Sequence, residues 1–262
     1  MKDYSKYIES TGTHYISNSG VDSKGTYHGD TAGDQNGKEW QLRAWYKRPW
    51  TVVLRYPDEK ARTLFAQLSC AAALNDKVGY DQYQRYTYLT ELSKAGWNPE
   101  NLTTACEEDC TAGVTANWIA VGHLLGIDAL ASLDKTTRST NMRARFVKAG
   151  FIALTESKYI NGVDWLMPGD VLLYESHHAA ANVTRGKKAE ELLPAGPQVR
   201  IVNGNCWIRT EPGTTGLKLG VARKGEVYKY AGQTAENGWN AIEYNGITAW
   251  VSGRYSTVTG KE

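Results

Sequence analysis

The chain has 262 residues, which is enough for one large domain or two smaller ones, and its formal net charge at pH 7 is only +2. Its apolar and charged fractions, 41% and 22%, are ordinary for a folded globular protein. The sequence has no run of about 18 apolar residues, which a membrane span would need. Four scattered cysteines are too few for a disulfide scaffold, and the near-neutral charge gives no reason to expect a nucleic-acid partner.

Glycine, aspartate and asparagine are frequent in residues 1–57, where no helical period is visible. Residues 20–25 and 29–37 predict consecutive turns, and residues 50–55 predict a strand. Three tryptophans of this segment are compatible with core packing or with a glycan-binding groove, namely Trp40, Trp45 and Trp50. The sequence alone assigns no role to this segment.

Two helices are predicted next. Asp58 is placed to cap the first, which carries apolar residues at helical spacing and ends near residue 75. Asp81 is placed to cap the second, which ends at Gly96 because glycine is favoured just after a helix C-terminus.

Cys110 opens the most regular helical pattern in the chain. The apolar residues after it fall on one helix face, and they are Val114, Trp118, Val121 and Leu125. Asp109 is a favourable N-cap, so Cys110 is predicted to lie in the first turn. A thiolate there would face free backbone N–H groups and the positive end of the helix dipole, which predicts a lowered pKa. The alternative is that Cys110 is a small core residue.

After this helix the predicted elements change from helices to strands. Ser139 and Thr140 are placed to cap a third helix that ends at Gly150. Residues 151–154, 171–174 and 178–183 predict short strands. Helices first and strands second are typical of an α+β domain.

Three short motifs occur in the order seen in one group of enzymes. Asp109-Cys110 opens an apolar helix, Gly169-Asp170-Val-Leu-Leu opens a strand, and His178-Ala-Ala opens the next strand. This set resembles the papain-like cell-wall hydrolases, namely the NlpC-type peptidases and their CHAP relatives. The resemblance implies a papain-like fold in which Cys110 attacks a peptidoglycan amide and His178 is its base. Neighbours on a strand face opposite ways, and the family's His-x-Ala pattern selects His178 over His177.

The resemblance also implies residues around this pair. In NlpC-type enzymes a tyrosine upstream of the cysteine lines the oxyanion region, and Tyr80 is the candidate here, with Asp109 as a second substrate-lining candidate. The third catalytic residue, which orients the histidine, is left open, and its candidates are Asn182, Glu190 and Glu191.

A metal site is the rival interpretation of the cysteines. Cys106 and Cys110 have a zinc-like spacing, but no second ligand pair matches it, so we expect no metal and no cofactor. The remaining histidines are expected to be surface or packing residues, and they are His14, His28 and His123.

A charged run that ends in prolines and glycine predicts a hinge. We therefore expect a catalytic domain over residues 1–185, a linker over residues 186–197 and a second domain over residues 198–262.

Beyond the hinge, short alternating runs separated by turns predict a small β-barrel. The segments Cys206-Trp-Ile-Arg209-Thr-Glu-Pro-Gly213, Lys224-Gly225-Glu-Val and Asn237-Gly238-Trp239 resemble the bacterial SH3 family. The resemblance implies a cell-wall-binding module, and its candidate binding residues are Trp207, Trp239 and Trp250.

The two resemblances together imply a peptidoglycan hydrolase of the endolysin or autolysin type, either an endopeptidase or an N-acetylmuramoyl-L-alanine amidase. Two alternatives stay open: a catalytically inactive wall-binding protein, and an intracellular cysteine transglutaminase or deamidase. The first residues lack the apolar segment of a secretory signal. We therefore expect the protein to be made in the cytoplasm and to reach the wall by a holin-type or other route that needs no signal. We also expect it to be a monomer.

Overall fold

The computed structural model describes residues 1–28, 31–189 and 197–259. The chain divides into two compact units between residues 189 and 190. The first unit is mixed α/β, and the second is built of β-strands.

The first unit is organised around one large sheet. Its strands are β1 (Tyr15–Ser19), β2 (Trp40–Ala44), β3 (Val52–Arg55), β4 (Val78–Tyr80), β5 (Cys106–Glu108), β6 (Ile152–Leu154), β7 (Val171–Tyr174) and β8 (His178–Asn182). Its helices are α1 (Ser5–Ile8), α2 (Glu59–Ala73), α3 (Thr87–Lys94), α4 (Cys110–Leu125), α5 (Asp128–Ala131), α6 (Met142–Lys148) and α7 (Ser157–Ile160). Six strands form an antiparallel sheet in the order β2-β1-β8-β7-β3-β6, while β4 and β5 form a separate parallel pair.

Helices α2 and α4 pack on one face of the large sheet and form the core with it. Phe65 of α2 stacks on Trp118 of α4 with ring centroids 4.4 Å apart, and both side chains are fully buried. Asp58 caps α2 as predicted, because its carboxylate accepts a hydrogen bond from the Ala61 N–H. The sequence predicted that α4 buries a single face, but the helix is buried on all sides. Residues 111–122 are all buried, as expected of a central helix.

Two predicted helix starts are wrong. Helix α3 begins after Tyr86, and the Asp81 carboxylate instead accepts from the Tyr83 N–H at 2.6 Å in the preceding turn. Helix α6 begins after Asn141, whose side chain accepts from the Arg138 N–H. In both places a local side-chain bond to the backbone closes a turn ahead of the helix, and such bonds compete with helix formation.

The second unit is a seven-stranded antiparallel sheet. Its strands are β9 (Gln198–Ile201), β10 (Cys206–Arg209), β11 (Lys218–Ala222), β12 (Val227–Thr234), β13 (Trp239–Tyr244), β14 (Ile247–Ser252) and β15 (Ser256–Thr259), in the order β11-β10-β14-β13-β12-β9-β15. Its buried core contains Val199, Ile208, Ile242 and Val251. The alternating runs of the sequence fall on β9, β10, β12, β13 and β14, whereas no such run marks β11 or β15. No helix among the described residues of either unit is long and apolar enough to cross a membrane.

Candidate active site

Cys110 is the first residue of α4, and a buried ion pair fixes this end of the helix. The Asp109 carboxylate accepts from the N–H groups of Thr111 and Ala112, at 2.9 and 2.8 Å. Arg85 lies 3.0 Å from the other Asp109 oxygen and also donates to the Thr137 carbonyl at 2.8 Å. The start of the helix is therefore held to two other segments of the chain.

The Cys110 sulfur lies beside the start of β8. Its side chain is partly exposed, and it accepts a hydrogen bond from the Ala179 backbone N–H. Ala179 follows His178 directly, so α4 presents the sulfur to the strand that carries the predicted base.

The pKa of Cys110 does not move in the direction that the helix dipole predicts. Burial, together with the nearby carboxylates of Asp109 and Glu108, raises the pKa of the Cys110 thiol to about 12. The Ala179 N–H and the Arg85 guanidinium oppose this shift without reversing it. In the free protein the sulfur is a neutral thiol at neutral pH, because desolvation outweighs the helix N-terminus.

His178 is buried, with 5% of its surface exposed, and it is paired with Asn18 of β1. Its Nε2 lies 2.8 Å from Asn18 Oδ1, and the Trp50 ring stacks beside the imidazole at 6.0 Å between centroids. An amide oxygen only accepts hydrogen bonds, so this contact places the proton on Nε2 and leaves Nδ1 with its lone pair. Burial and the positive charges of Arg48 and Arg43 lower the pKa of His178 to about 3.

The neighbouring His177 lies outside this arrangement. It is exposed, its Nδ1 lies 2.9 Å from the Glu175 carbonyl oxygen, and its ring stacks on Tyr174. The other histidines lie elsewhere: His14 contacts Asn182, His28 stacks on Tyr83, and His123 stacks on Trp97.

Asn18 is the histidine's partner that the sequence did not identify. The candidate Asn182 instead contacts His14 Nε2 at 2.7 Å, and Glu190 and Glu191 lie outside the described residues. Asn18 lies 160 residues before His178, in a polar segment without any recognisable motif. Only the pairing of β1 with β8 brings the two side chains together.

A sequence model of the endolysin-like domain matches residues 16–189, more than half of the chain. The chain belongs to the endolysin-like domain family. A second model, of the bacterial SH3 domain, matches residues 208–257. No curated protein matches the chain. An endolysin-like domain joined to a wall-binding SH3 domain indicates a peptidoglycan hydrolase, and the first match spans Asn18, Cys110 and His178.

Tyr80 of the endolysin-like domain lies close to the cysteine. It ends β4 and pairs with Glu108 of β5, the strand that leads into α4. The Tyr80 hydroxyl accepts from Gln82 Nε2 at 3.0 Å. Burial raises the pKa of Tyr80, and a negative charge on Cys110 would raise it further, so the hydroxyl keeps its proton and can donate it.

Glu108 lies beneath the start of α4, where it is fully buried. Burial raises the pKa of its carboxyl well above the ordinary value. A side chain at Gly113 would overlap this carboxyl group, so the glycine allows α4 to pack against it.

The cysteines of the endolysin-like domain form no metal centre with the described residues. Cys106 is buried in β5, where its thiol donates to the Lys77 carbonyl at 3.5 Å. Within the described ranges there is no cluster of three or more His, Cys, Asp or Glu side chains that could hold a metal ion.

The three tryptophans of the SH3 domain lie on one face of its sheet. Arg209 of β10 is paired with Trp250 of β14, and Trp250 is also paired with Ala241 of β13. Paired residues share a face, as do residues two apart on one strand, so Trp207 and Trp239 lie on the Trp250 side. Trp207 is 45% exposed, and Lys218 Nζ lies 4.2 Å above its ring.

Proposed function

We propose that this protein hydrolyses an amide bond of peptidoglycan with Cys110 as nucleophile, His178 as base and Asn18 as the orienting residue, in a papain-like domain. One observation carries the proposal: the Cys110 sulfur contacts the N–H of Ala179, next to a histidine whose Nε2 is held by Asn18 at 2.8 Å. Cysteine, histidine and asparagine form the catalytic set of papain-like proteases. A sheet covered by the cysteine-bearing helix is consistent with that fold.

The proposed reaction proceeds through a thioester. His178 Nδ1 takes the thiol proton while Cys110 Sγ attacks the amide carbon, and the imidazolium then gives that proton to the leaving amine as the C–N bond breaks. A water molecule, deprotonated by His178, hydrolyses the thioester and releases a carboxylic acid and the free thiol. Because the free site holds a neutral thiol and a neutral imidazole, the proton moves during attack rather than before the substrate binds.

The developing oxyanion needs hydrogen-bond donors near Cys110. The Asp109 carboxylate occupies the N–H groups of Thr111 and Ala112, which leaves the Cys110 N–H as the helix-start donor for a substrate. We assign Tyr80 as the second donor, because its hydroxyl keeps its proton and its pKa responds to the charge on Cys110.

The two cysteines of the β5–α4 segment provide the test. In digests of purified peptidoglycan analysed by mass spectrometry, Cys110→Ala should lower the rate by roughly 10⁴-fold or more, since it removes the nucleophile. Cys106→Ala should keep the rate and lower the free energy of unfolding by about 1–2 kcal/mol. A chelator should leave turnover intact. Activity that survives in Cys110→Ala, or falls equally in both folded variants, would contradict this chemistry. The same spectra identify the bond that is cut.

We further propose that the tryptophan face of the SH3 domain binds the wall. Full-length Cys110→Ala protein, which binds without cutting, is sedimented with purified wall fragments. Adding Trp207→Ala should reduce the bound fraction several-fold, because an exposed aromatic ring is a common anchor in binding surfaces. Ile247→Ala is the matched control, since Ile247 is 51% exposed and lies on the opposite face of β14 from Trp250. Equal binding by the Trp207 variant and its parent would rule out this face.

A further inference from the structure

Strand β2 and the segment that follows it bring two arginines to the histidine side of the site. We propose that Arg43 and Arg48 form a carboxylate-binding subsite, which favours substrates with a free carboxylate on the residue that supplies the leaving amine. This inference rests on the proposed function, because it assigns the substrate's orientation at the Cys110–His178 pair.

A chain of hydrogen bonds joins this segment to the histidine. Arg48 donates to the Tyr46 hydroxyl at 3.0 Å, and that hydroxyl donates to Asn18 Oδ1 at 3.3 Å. Asn18 Oδ1 also accepts a hydrogen bond from His178 Nε2. The guanidinium of Arg43 lies 4.4 Å above the Tyr46 ring. Tyr46 therefore has one guanidinium at its hydroxyl and another on its face.

Within the part of the chain that the structure describes, Arg43 and Arg48 have no carboxylate partner, a property they share with Arg62 and Arg138 but not with five other arginines of the domain. Among the described residues, neither Arg43 nor Arg48 lies within ion-pair distance of an acidic side chain. By contrast, Arg55 pairs with Asp170, and further paired arginines are Arg85, Arg143, Arg145 and Arg185. Arg43 is exposed and Arg48 is partly exposed, so a dissolved anion can reach both.

The field of both cations reaches the imidazole, since each of them lowers the pKa of His178. Two uncompensated guanidinium groups beside a base make proton uptake by that base less favourable. A bound carboxylate would offset this charge, and a guanidinium offers the planar donor pair that fits a carboxylate. The subsite would therefore favour the proton transfer to His178 once an acidic substrate is in place.

The reaction chemistry decides which half of the substrate contacts these arginines. His178 returns its proton to the leaving amine, so the amine half must lie on the histidine side of the sulfur. Arg43 and Arg48 lie on that side. The predicted substrate therefore carries its carboxylate on the amine half, close to the bond that is cut.

The test compares two synthetic peptides built around the bond that the peptidoglycan digests identify. They differ only in a free carboxylate or a carboxamide on the amine-side residue. The unsubstituted protein should show kcat/KM about tenfold or more higher for the carboxylate, the scale of one charge-assisted contact. Arg48→Met should bring the ratio close to 1, and Arg43→Met should lower it to a smaller extent.

Two further variants separate binding from positioning. Lys47→Met removes a positive charge from the same segment, but Lys47 is not among the groups that shift the pKa of His178, so the ratio should not change. Tyr46→Phe keeps both guanidinium groups and removes the hydroxyl, so it should lower kcat on both peptides and preserve the ratio.

The outcomes distinguish this inference from the proposed function. An equal loss on both peptides in Arg48→Met would mean that Arg48 only positions Tyr46, and it would overturn the subsite. A ratio near 1 in the unsubstituted protein would overturn it as well. Turnover by Cys110→Ala would instead contradict the proposed function.

Discussion

Two histidine–asparagine pairs join the neighbouring strands β1 and β8, and one of them contains the residue before Ala179, whose N–H contacts the Cys110 sulfur. His178 contacts Asn18 at 2.8 Å, and His14, just before β1, contacts Asn182 at 2.7 Å. Strand alternation puts Asn18 and Asn182 on the same sheet face, since Ile16 is paired with Asn182. The hydrogen bond is the same in both pairs, so it does not by itself create a catalytic base.

The surroundings of the two pairs explain the difference. The start of α4 presents the Cys110 sulfur to the N–H of Ala179, the residue that follows His178, while Arg48 and Arg43 act on the pKa of that histidine. The charges that act on His14 are the carboxylates of Asp164 and Asp170, which favour its protonated form. A nucleophile and a cationic surrounding give the first pair its proposed chemistry.

The second pair has the features of a structural contact. Asn182 is fully buried, and its amide group donates to the carbonyls of Met167 and Thr184, at 2.8 and 2.9 Å. With His14, these contacts fasten the end of β8 to two neighbouring segments. The same residue types therefore serve stability at one end of β8 and proposed catalysis at the other.

We expect the largest difference between the two pairs when their histidines are substituted. His178→Ala should lower kcat by roughly 10²–10⁴-fold, because it removes the general base. His14→Ala should leave kcat within a few-fold and lower the free energy of unfolding by about 1 kcal/mol, through loss of one hydrogen bond. The two measurements are peptidoglycan hydrolysis and urea denaturation. A kcat loss of similar size in both variants would show that the pairs are not functionally distinct.

The asparagines should show a smaller effect in the same sense. Asn18→Ala should reduce kcat by roughly 10²-fold, because an imidazole that turns away from the sulfur loses its near-attack geometry. Asn182→Ala should cost about 2–3 kcal/mol of unfolding free energy, because it leaves buried partners unsatisfied, while the folded fraction keeps its kcat. If Asn182→Ala abolishes activity in protein that is still folded, the assignment of Asn18 as the orienting residue fails.

The smallest expected difference between the two pairs is in the titration of their histidines. In NMR spectra recorded from pH 8 downward, the His178 ring should stay neutral until about pH 3, and His14 should titrate below the ordinary histidine value. The pKa of both is lowered in the fold, so the unfolded chain binds more protons as the pH falls below about 6.5, and stability should decline in that window. Arg48→Met should raise the pKa of His178 and leave His14 unchanged. An unchanged His178 titration would contradict the charge effect.

Local signals in the sequence predicted the two ends of the site. The N-cap Asp109 and the apolar spacing after Cys110 correctly predicted the start of α4, and the motif at His178 correctly predicted the start of β8. The bacterial SH3 motifs likewise predicted the second domain that the family match identifies. These features depend on residues close together in the chain, so periodicity and turn chemistry reveal them.

Only the tertiary structure decided what surrounds those two ends. The partner of His178, the arginines at Tyr46 and the pairing of Tyr80 with the strand that leads into α4 all depend on strands paired across long stretches of chain. The direction of the Cys110 pKa shift was also decided there: the helix N-terminus is a local feature that favours a thiolate, but burial and two nearby carboxylates outweigh it. Desolvation and long-range contacts are properties of the packed chain, and a single sequence carries no local signal for either.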